Sequence, residues 1–425
     1  MGIKELYSLY KKSYKIVKDT RDDVTNSIYF SLKGESFNGN QYALQALENG
    51  ANYAVIDEKS YQVDNRMILV KDVLTCLQEL ANFHRLQLGI PILALTGSNG
   101  KTTTKELIHA VLSEQYNCYA TKGNLNNHIG VPLTLLSMTP EHNFGVVEMG
   151  ANHQLEIASL CDIAMPDFGM ITNFGRVHLE GFGSFEGVVK GKTEMYRHLK
   201  QHEKKVFVNQ EDSIQMKKSN GMNRILFGST GDDYEVTFNG ADPFVSIIFE
   251  GLRIDSQLIG SYNFANIAAA VSIGKYFDIE TEKIKNAIEG FVPENNRSQI
   301  ILRNSNRIIL DAYNANPNSM EVAIENLKNL SAKKKVAILG DMFELGKDSD
   351  LEHQHITDLA IHSGFDQVYL IGELFSITKS NSKEIFLCRS FEKFTELFKQ
   401  HELKDTTLLI KASRGMALER VLAYL

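Results

Sequence analysis

An apolar stretch at residues 92–95 runs straight into Thr96-Gly97-Ser98-Asn99-Gly100-Lys101-Thr102-Thr103, and a helical pattern begins at once. Few folds accommodate a strand, a glycine-rich turn and a helix in that order. Glycine lets the backbone curl until successive N–H groups face one anionic centre, and the helix N-terminus adds a favourable dipole. Gly97, Ser98, Asn99, Gly100, Lys101, Thr102 and Thr103 are therefore expected to hold the phosphates of a nucleotide. Lys101 would reach the β/γ-phosphates, and the Thr102 or Thr103 hydroxyl would ligate Mg²⁺. The spacing departs from the general phosphate-binding loop, which places a Gly where this chain has Leu95. A chance glycine-rich turn is the competing reading. The apolar strand before it and the helix after it weigh against that.

Around the loop the chain alternates strand and helix patterns. Buried strands are expected at 144–148 and 168–172, with helices between them, which implies a mostly parallel, doubly wound sheet. Upstream, strands at 28–33 and 53–57 enclose a helix at 41–49. A helix at 73–88 then leads to Gly89 and Pro91, where a boundary falls. Downstream, 205–209, 224–227, 235–238 and 245–249 read as shorter strands, several of them antiparallel, followed by a helix opening at 263 and another at 280–289. After 293–298 the pattern restarts, with strands at 308–311, 336–339, 367–371 and 407–410. The expected fold class is α/β in three domains. A small N-terminal α/β domain (1–88) precedes a central P-loop domain (89–297) and a C-terminal Rossmann-like domain (298–425), a count that suits 425 residues.

Bulk properties narrow the function. A net charge of −7 argues against a surface that wraps nucleic acid. Cys76, Cys118, Cys161 and Cys388 are scattered and give no zinc or redox spacing. They suit a reducing compartment. No signal-peptide core and no run of about 18 apolar residues is present, so a cytoplasmic protein without membrane insertion is expected.

Four blocks carry a family resemblance: Asn124-Leu125-Asn126-Asn127-His128-Ile129-Gly130-Val131-Pro132, Glu148-Met149-Gly150-Ala151-Asn152-His153, Tyr313-Asn314-Ala315-Asn316-Pro317 and Gly340-Asp341-Met342-Phe343-Glu344-Leu345-Gly346. With the short loop, they make the chain resemble the Mur ligases, which add amino acids to the cell-wall precursor. The likeness is to one branch in particular, whose substrates are UDP-N-acetylmuramoyl-tripeptide and D-alanyl-D-alanine. The resemblance implies domains for the UDP-sugar end, for ATP and for the dipeptide, in that order, and a monomer is expected. It also implies the reaction. ATP phosphorylates the tripeptide carboxylate, the dipeptide amine attacks the acyl phosphate, and phosphate leaves.

Transferring a phosphoryl group to a carboxylate gathers negative charge that metal and cations must neutralise. Glu148 ends an apolar strand, where open α/β sheets bind ligands, and the resemblance makes it a Mg²⁺ ligand rather than a surface carboxylate. The resemblance places His178 near a second Mg²⁺, although a lone His reads as a packing or surface residue. It also implies that Lys192 carries a carbamate formed from CO₂, where spacing alone suggests a solvated helix lysine with Lys190 as a decoy. Lys101, His178 and Lys192 form the catalytic set.

Asn263 and Asn266 match an adenine-contacting helix start but would serve equally as caps, and Tyr262 replaces a frequent His. Arg297 is matched to phosphate and Asp311 to ribose, with Leu310 where a paired Asp is common. Asn314 and Asn316 share that turn, for which linker and capping roles stay open. Thr20 (for a usual Ser), Arg21 and the loop 34–40 resemble the uridine region. Asn124, Asn126, Asn127 and His128 offer donors to pyrophosphate and peptide, or form an ordinary capped loop. Leu155 replaces a common Gly, so a different backbone is expected there. Lys411, Ser413 and Arg414 end an apolar strand before an expected helix, an anion site for the dipeptide carboxylate or a phosphate. His353 and His355 lack a third ligand and read as helix surface.

Competing readings are a ligase for another amine, a folylpolyglutamate synthetase-like enzyme, a P-loop ATPase or kinase, and a silent nucleotide-binding protein. The 126–128 and 313–317 blocks oppose the first two. The Lys192 region opposes the ATPase and kinase readings. Lys101, Thr102, Glu148, His178 and Lys192 standing together oppose the last.

Overall fold

The computed structural model describes every residue except 231–232, 294–296 and 400–402. Its centre is a seven-stranded sheet in the order Tyr234–Glu235, Asn223–Gly228, Lys205–Asn209, Phe168–Ile171, Ile92–Thr96, Phe144–Glu148 and Cys118–Ala120. All its pairings are parallel. Ile92–Thr96 and Phe144–Glu148 are buried at every position, as strands covered on both faces must be. Successive side chains of Ile92–Thr96 serve opposite faces. Leu93 and Leu95 pack with Leu107, Ile108 and Val111 of helix Lys101–Ser113 and with Ile267 and Val271 of helix Phe264–Tyr276. Ile92 and Ala94 join a second core with Leu135, Ile157, Leu160 and Met195.

That second core continues into the first 90 residues. Here four parallel strands run in the order Ile16–Val17, Ile28–Phe30, Tyr53–Ile56 and Met67–Leu69. Helix Val73–Leu88 contributes Leu77, Leu80 and Ala81 to the same core. It opens on Asp72, which accepts from Thr75 N, and closes on Gly89 at φ +64°, a left-handed cap at the expected boundary. The third sheet has six strands: Gln299–Arg303, Asn306–Asp311, Thr406–Lys411, Lys334–Gly340, Gln367–Ile371 and Ile385–Cys388. Only the first pairing is antiparallel among them.

Two expectations need correction. Lys205–Asn209 and Asn223–Gly228 are parallel and extend the central sheet, because helices cross over between them. Within the central domain, among the described residues, antiparallel pairing is confined to Thr237–Ala241, Phe244–Phe249 and Leu252–Ile259. His353 is not surface. It is 0% exposed, and its Nε2 accepts from Met342 N at 3.0 Å, while His355 does face outward toward Glu321.

Arg85 ties helix Val73–Leu88 to the central domain. Its guanidinium donates to Ala164 O at 3.0 Å and Met165 O at 3.1 Å, and meets Asp167 Oδ2 at 2.6 Å. Removing it takes the donor from two carbonyls at a helix end, while Asp167 keeps Lys204 Nζ at 2.7 Å and Ile92 N at 3.1 Å. Arg85→Ala should therefore lower the unfolding free energy by roughly 2–3 kcal/mol. Arg253→Ala, which breaks an exposed pair with Asp255, should cost under about 0.5 kcal/mol. Urea unfolding of both variants measures the contrast.

Candidate active site

The loop is fixed by its neighbours. Gly97 has φ +147°, and a Cβ there would overlap the Thr172 hydroxyl. At Gly100, φ is +77°, and a Cβ would lie 2.8 Å from Asn266 Oδ1. Strand Phe168–Ile171 leads into Thr172 and Asn173, which grip the loop. Thr172 Oγ1 donates to Asn99 O at 2.6 Å, Asn173 Nδ2 donates to it at 3.0 Å, and Asn173 Oδ1 accepts from Asn99 N at 3.0 Å. Lys101 opens helix Lys101–Ser113, and its Nζ donates back to Gly97 O at 2.7 Å and Ser98 O at 3.1 Å. Burial lowers the Lys101 pKa, against the pull of the Glu148 charge.

Glu148 stands one strand over and is 1% exposed. Its Oε1 accepts from Asn126 Nδ2 at 2.8 Å and from Thr102 Oγ1 at 3.4 Å. Its Oε2 is buried without a hydrogen-bond partner. A buried carboxylate oxygen left unpaired is costly, and a divalent cation is the partner that satisfies it. Mg²⁺ needs only one or two carboxylates when phosphate and water complete its octahedron. The donor set therefore fits Mg²⁺ held between Glu148, Thr102 and a nucleotide. Among the described residues no three His, Cys, Asp or Glu side chains form a metal cage of their own.

Lys192 lies behind this wall, 1% exposed, with Nζ donating to Ala151 O at 3.1 Å and sitting 5.2 Å from the Phe182 ring centroid. Burial, and then the Lys101 charge, hold its ammonium well below the ordinary lysine range. Lys190 is exposed. Residues two apart on a helix do not share a face, which is what separates the two lysines. His178, at φ +49°, has Nδ1 2.5 Å from Glu344 Oε2 of the third domain, an ion-pair contact. Burial lowers its pKa and Glu344 opposes that.

The third sheet closes against the loop. Asn316 Nδ2 donates to Asn99 Oδ1 at 2.8 Å, while its own Oδ1 caps helix Pro317–Asn329 by accepting from Ser319 N. Asn318 Oδ1 accepts from Arg176 N at 2.8 Å, and the Arg176 guanidinium reaches Glu352 at 3.3 Å. Asp311 and Lys411 end neighbouring strands in register. Lys411 Nζ meets Asp311 Oδ2 at 2.5 Å, Asp311 Oδ1 accepts from Ser298 N, and the Arg297 guanidinium stacks 3.6 Å over Tyr313. Asn263 and Asn266 cap nothing. Asn263 Nδ2 donates to Ile259 O, Asn266 Nδ2 to Asn263 Oδ1, and Thr104 Oγ1 to Asn266 Oδ1.

One cavity of about 1030 Å³ gathers these groups. Its wall includes Ser98, Asn99, Gly100, Lys101, Thr102, Thr103, Glu148, His178, Asn263, Asn266, Arg297, Asp311, Asn314, Asn316 and Lys411. Asn124, Asn126, Asn127 and His128 also line it, with Asn127 Oδ1 capping helix Gly130–Leu136 and His128 O accepting from Gln78 Nε2.

Six predicted residues lie off the wall: Gly97, Lys192, Thr20, Arg21, Ser413 and Arg414. Arg21 forks onto Asp19 at 2.6 and 2.9 Å near the far end of the small sheet. The helix expected after Lys411 is instead a 3₁₀ turn at Arg414–Met416 followed by another at Leu418–Tyr424, too short and tight to align a useful dipole. The Ser413 hydroxyl already accepts from Phe343 N, and Arg414 pairs with Glu419.

Leu155 differs from expectation in the opposite sense. The backbone keeps the glycine conformation, φ +71°, with the side chain 71% exposed, at an expected cost of roughly 1–2 kcal/mol. Sequence reasoning missed Thr172, Asn173, Asn318 and Glu344. Only the first two carried a signal, as polar residues closing a buried strand beside the loop.

The chain matches the Mur ligase middle domain over residues 95–274 and the Mur ligase glutamate ligase domain over 296–414. It is 34% identical to a UDP-N-acetylmuramoyl-tripeptide–D-alanyl-D-alanine ligase of Bacillus subtilis, covering 96% of this chain and 92% of that protein. It is 32% identical to the enzyme of the same name from Escherichia coli, over 96% and 93%. Among solved structures, MurF from Acinetobacter baumannii aligns with TM-score 0.87 at 28% identity over 96% and 92% of the two chains. MurF from Thermotoga maritima in complex with ADP aligns with TM-score 0.86 at 26% identity, over 96% of each. A phosphate loop, a half-satisfied carboxylate beside it, and these matches along the whole chain make it a member of the Mur ligase family.

Proposed function

We propose that the chain joins D-alanyl-D-alanine to UDP-N-acetylmuramoyl-tripeptide at the expense of ATP, giving UDP-N-acetylmuramoyl-pentapeptide, ADP and phosphate, a step of peptidoglycan precursor synthesis. The observation that carries this is Glu148, a buried carboxylate with one free oxygen, facing a phosphate loop inside a cavity closed by the third domain.

ATP phosphates bind on the backbone N–H groups of residues 98–103, and Lys101 leaves the carbonyls of Gly97 and Ser98 to meet them. Adenine lies toward Asn263 and Asn266, and ribose toward Asp311. Glu148 and the Thr102 hydroxyl would hold Mg²⁺, and His178 would stand near a second ion. Bound Mg²⁺ supplies charge neutralisation for phosphoryl transfer. The tripeptide carboxylate oxygen takes the γ-phosphoryl group and ADP leaves. The dipeptide amine then attacks the acyl carbon, phosphate departs with the bonding pair, and the amine loses a proton.

Closure by Asn316, Asn318 and Glu344 keeps water from the acyl phosphate. The reading gives residues 1–88, with Thr20, Arg21 and the loop 34–40, to the uridine end. It gives 89–297 to ATP, and 298–425, with Lys411, Ser413 and Arg414, to the dipeptide. Asn124, Asn126, Asn127 and His128 face the pyrophosphate and peptide, and Arg297, Asn314 and Asn316 the nucleotide. The reading keeps a monomer in the cytoplasm, a compartment that four free thiols suit. Lys192 takes up CO₂, its amine losing a proton as the N–C bond forms. Burial favours the neutral amine that this needs.

Phosphate release from ATP with UDP-N-acetylmuramoyl-tripeptide should require D-alanyl-D-alanine, with a product heavier by one dipeptide less water. Release that ignores the dipeptide and yields no ligated product would reject the reading. Glu148→Gln should cut kcat at least about 100-fold and raise the Mg²⁺ concentration needed for half-maximal rate. An unchanged Mg²⁺ dependence would remove Glu148 from the metal. In ¹³C-bicarbonate, the wild type should show a carbamate resonance that Lys192→Arg lacks. A spectrum identical in both proteins would remove the carbamate.

A further inference from the structure

Leu155 combines three features that a merely structural residue would not. Its backbone is left-handed, a conformation that glycine adopts freely and leucine does not. Its side chain is 71% exposed, so packing does not compensate. It lines the cavity of the candidate active site.

The conformation is held by a buried carboxylate. Glu194 Oε1 accepts from Leu155 N at 2.7 Å, and Oε2 accepts from Ala158 N at 3.1 Å. Glu194 itself is 2% exposed. Two residues before it, Lys192 holds Ala151 O. The segment from 151 to 158 is thus pinned at both ends, and Leu155 projects between the pins into open space. Strain of this kind, enforced by its surroundings, marks a side chain placed for a ligand.

The layout says which ligand. The nucleotide side of the cavity is taken by the loop, Asn263, Asn266 and Asp311. On the other side, Asn152, Gln154, Leu155 and Ser159 stand in the same wall as Asn124 to His128, and Gly150 N donates to Asn126 O at 2.8 Å, joining the two segments. His128 O in turn meets Gln78 of the first domain. A substrate anchored in the first domain, with its carboxylate beside Glu148, passes along this side.

We infer that Leu155 is a substrate-binding residue that packs against the aliphatic part of the peptide arm of the carboxylate substrate, and that Glu194 is the positioning residue holding it there. This rests on the ligase reading and adds a contact where the resemblance would place a side-chain-free glycine.

The test is steady-state kinetics of Leu155→Gly and Leu155→Met beside the wild type, varying each substrate in turn, with melting temperatures of all three. Leu155→Gly should raise KM for UDP-N-acetylmuramoyl-tripeptide about tenfold, the loss of part of one buried leucine contact. KM for ATP, KM for D-alanyl-D-alanine and kcat should stay within about twofold. Leu155→Met, apolar and of similar volume, should restore KM to within about threefold of wild type. An unchanged tripeptide KM in a folded Leu155→Gly protein would overturn the assignment. So would a loss shared by all substrates together with a lower melting temperature. A wild type that forms no ligated product would instead bring down the ligase reading, so the two failures are distinguishable.

Discussion

Crowding of the loop backbone against two side chains, at Gly97 and Gly100, sets the site. The loop approaches Thr172 on one side and Asn266 on the other so closely that neither glycine can carry a Cβ without displacing them. Because Thr172 and Asn173 end the strand beside Ile92–Thr96 in register, the parallel sheet itself determines where the loop's N–H groups point. Glu148 ends the strand on the other side. Phosphate loop, half-satisfied carboxylate and loop anchor are thus three adjacent strand ends of one sheet, the place where open α/β sheets bind ligands.

The same geometry explains which residues a reader of the sequence could find. Apolar runs such as Ile92–Thr96 and Phe144–Glu148 are legible because burial on both faces leaves no polar position to confuse the pattern. Helix Val73–Leu88 announces both its ends through Asp72 and Gly89. Two-residue strands such as Ile16–Val17 carry too few residues for a period. Gln299–Arg303 is half exposed and carries no strand expectation in the sequence. At the site, Lys101 and Glu148 are legible because a strand end locates them. Asn318 and Glu344 are not. Each works only through a contact with the central domain more than 140 residues away in sequence, and no local spacing encodes such a contact.

Most buried polar groups are satisfied, and the unpaired ones include Ser31 Oγ, Tyr196 OH and His198 Nε2 away from the cavity wall as well as Glu148 Oε2 within it. Asn266, Asn263 and Thr104 form a closed chain of hydrogen bonds that locks helix Phe264–Tyr276 to helix Lys101–Ser113. Asp341 likewise accepts from Leu374 N and Phe375 N. Glu148 and Lys192 break the rule. One keeps an unpaired oxygen, and the other is a buried amine with a single carbonyl acceptor and an aromatic ring for company. Satisfied networks specify a fold. An unsatisfied one in the cavity wall, as Glu148 is, marks where a ligand's charge is expected.

Asn99 connects the phosphate loop to the third domain through two different atoms. Its backbone carbonyl is held by Thr172 and Asn173, and its side-chain oxygen accepts from Asn316. Asn316 is also the cap of helix Pro317–Asn329, so its orientation is not free to vary. Movement of the third domain therefore cannot leave Asn99 untouched, and a change at Asn99 is felt in the first turn of that helix. Lys101 adds the second half of the coupling. While it bonds Gly97 O and Ser98 O, the loop is braced from within. A phosphate that draws Lys101 away removes that brace and leaves the strand-end residues and Asn316 to define the loop's shape. Domain closure and nucleotide binding then act on the same few backbone atoms. A ligase that must not expose an acyl phosphate to water requires such a shared element, because closure has to follow the nucleotide rather than proceed independently of it.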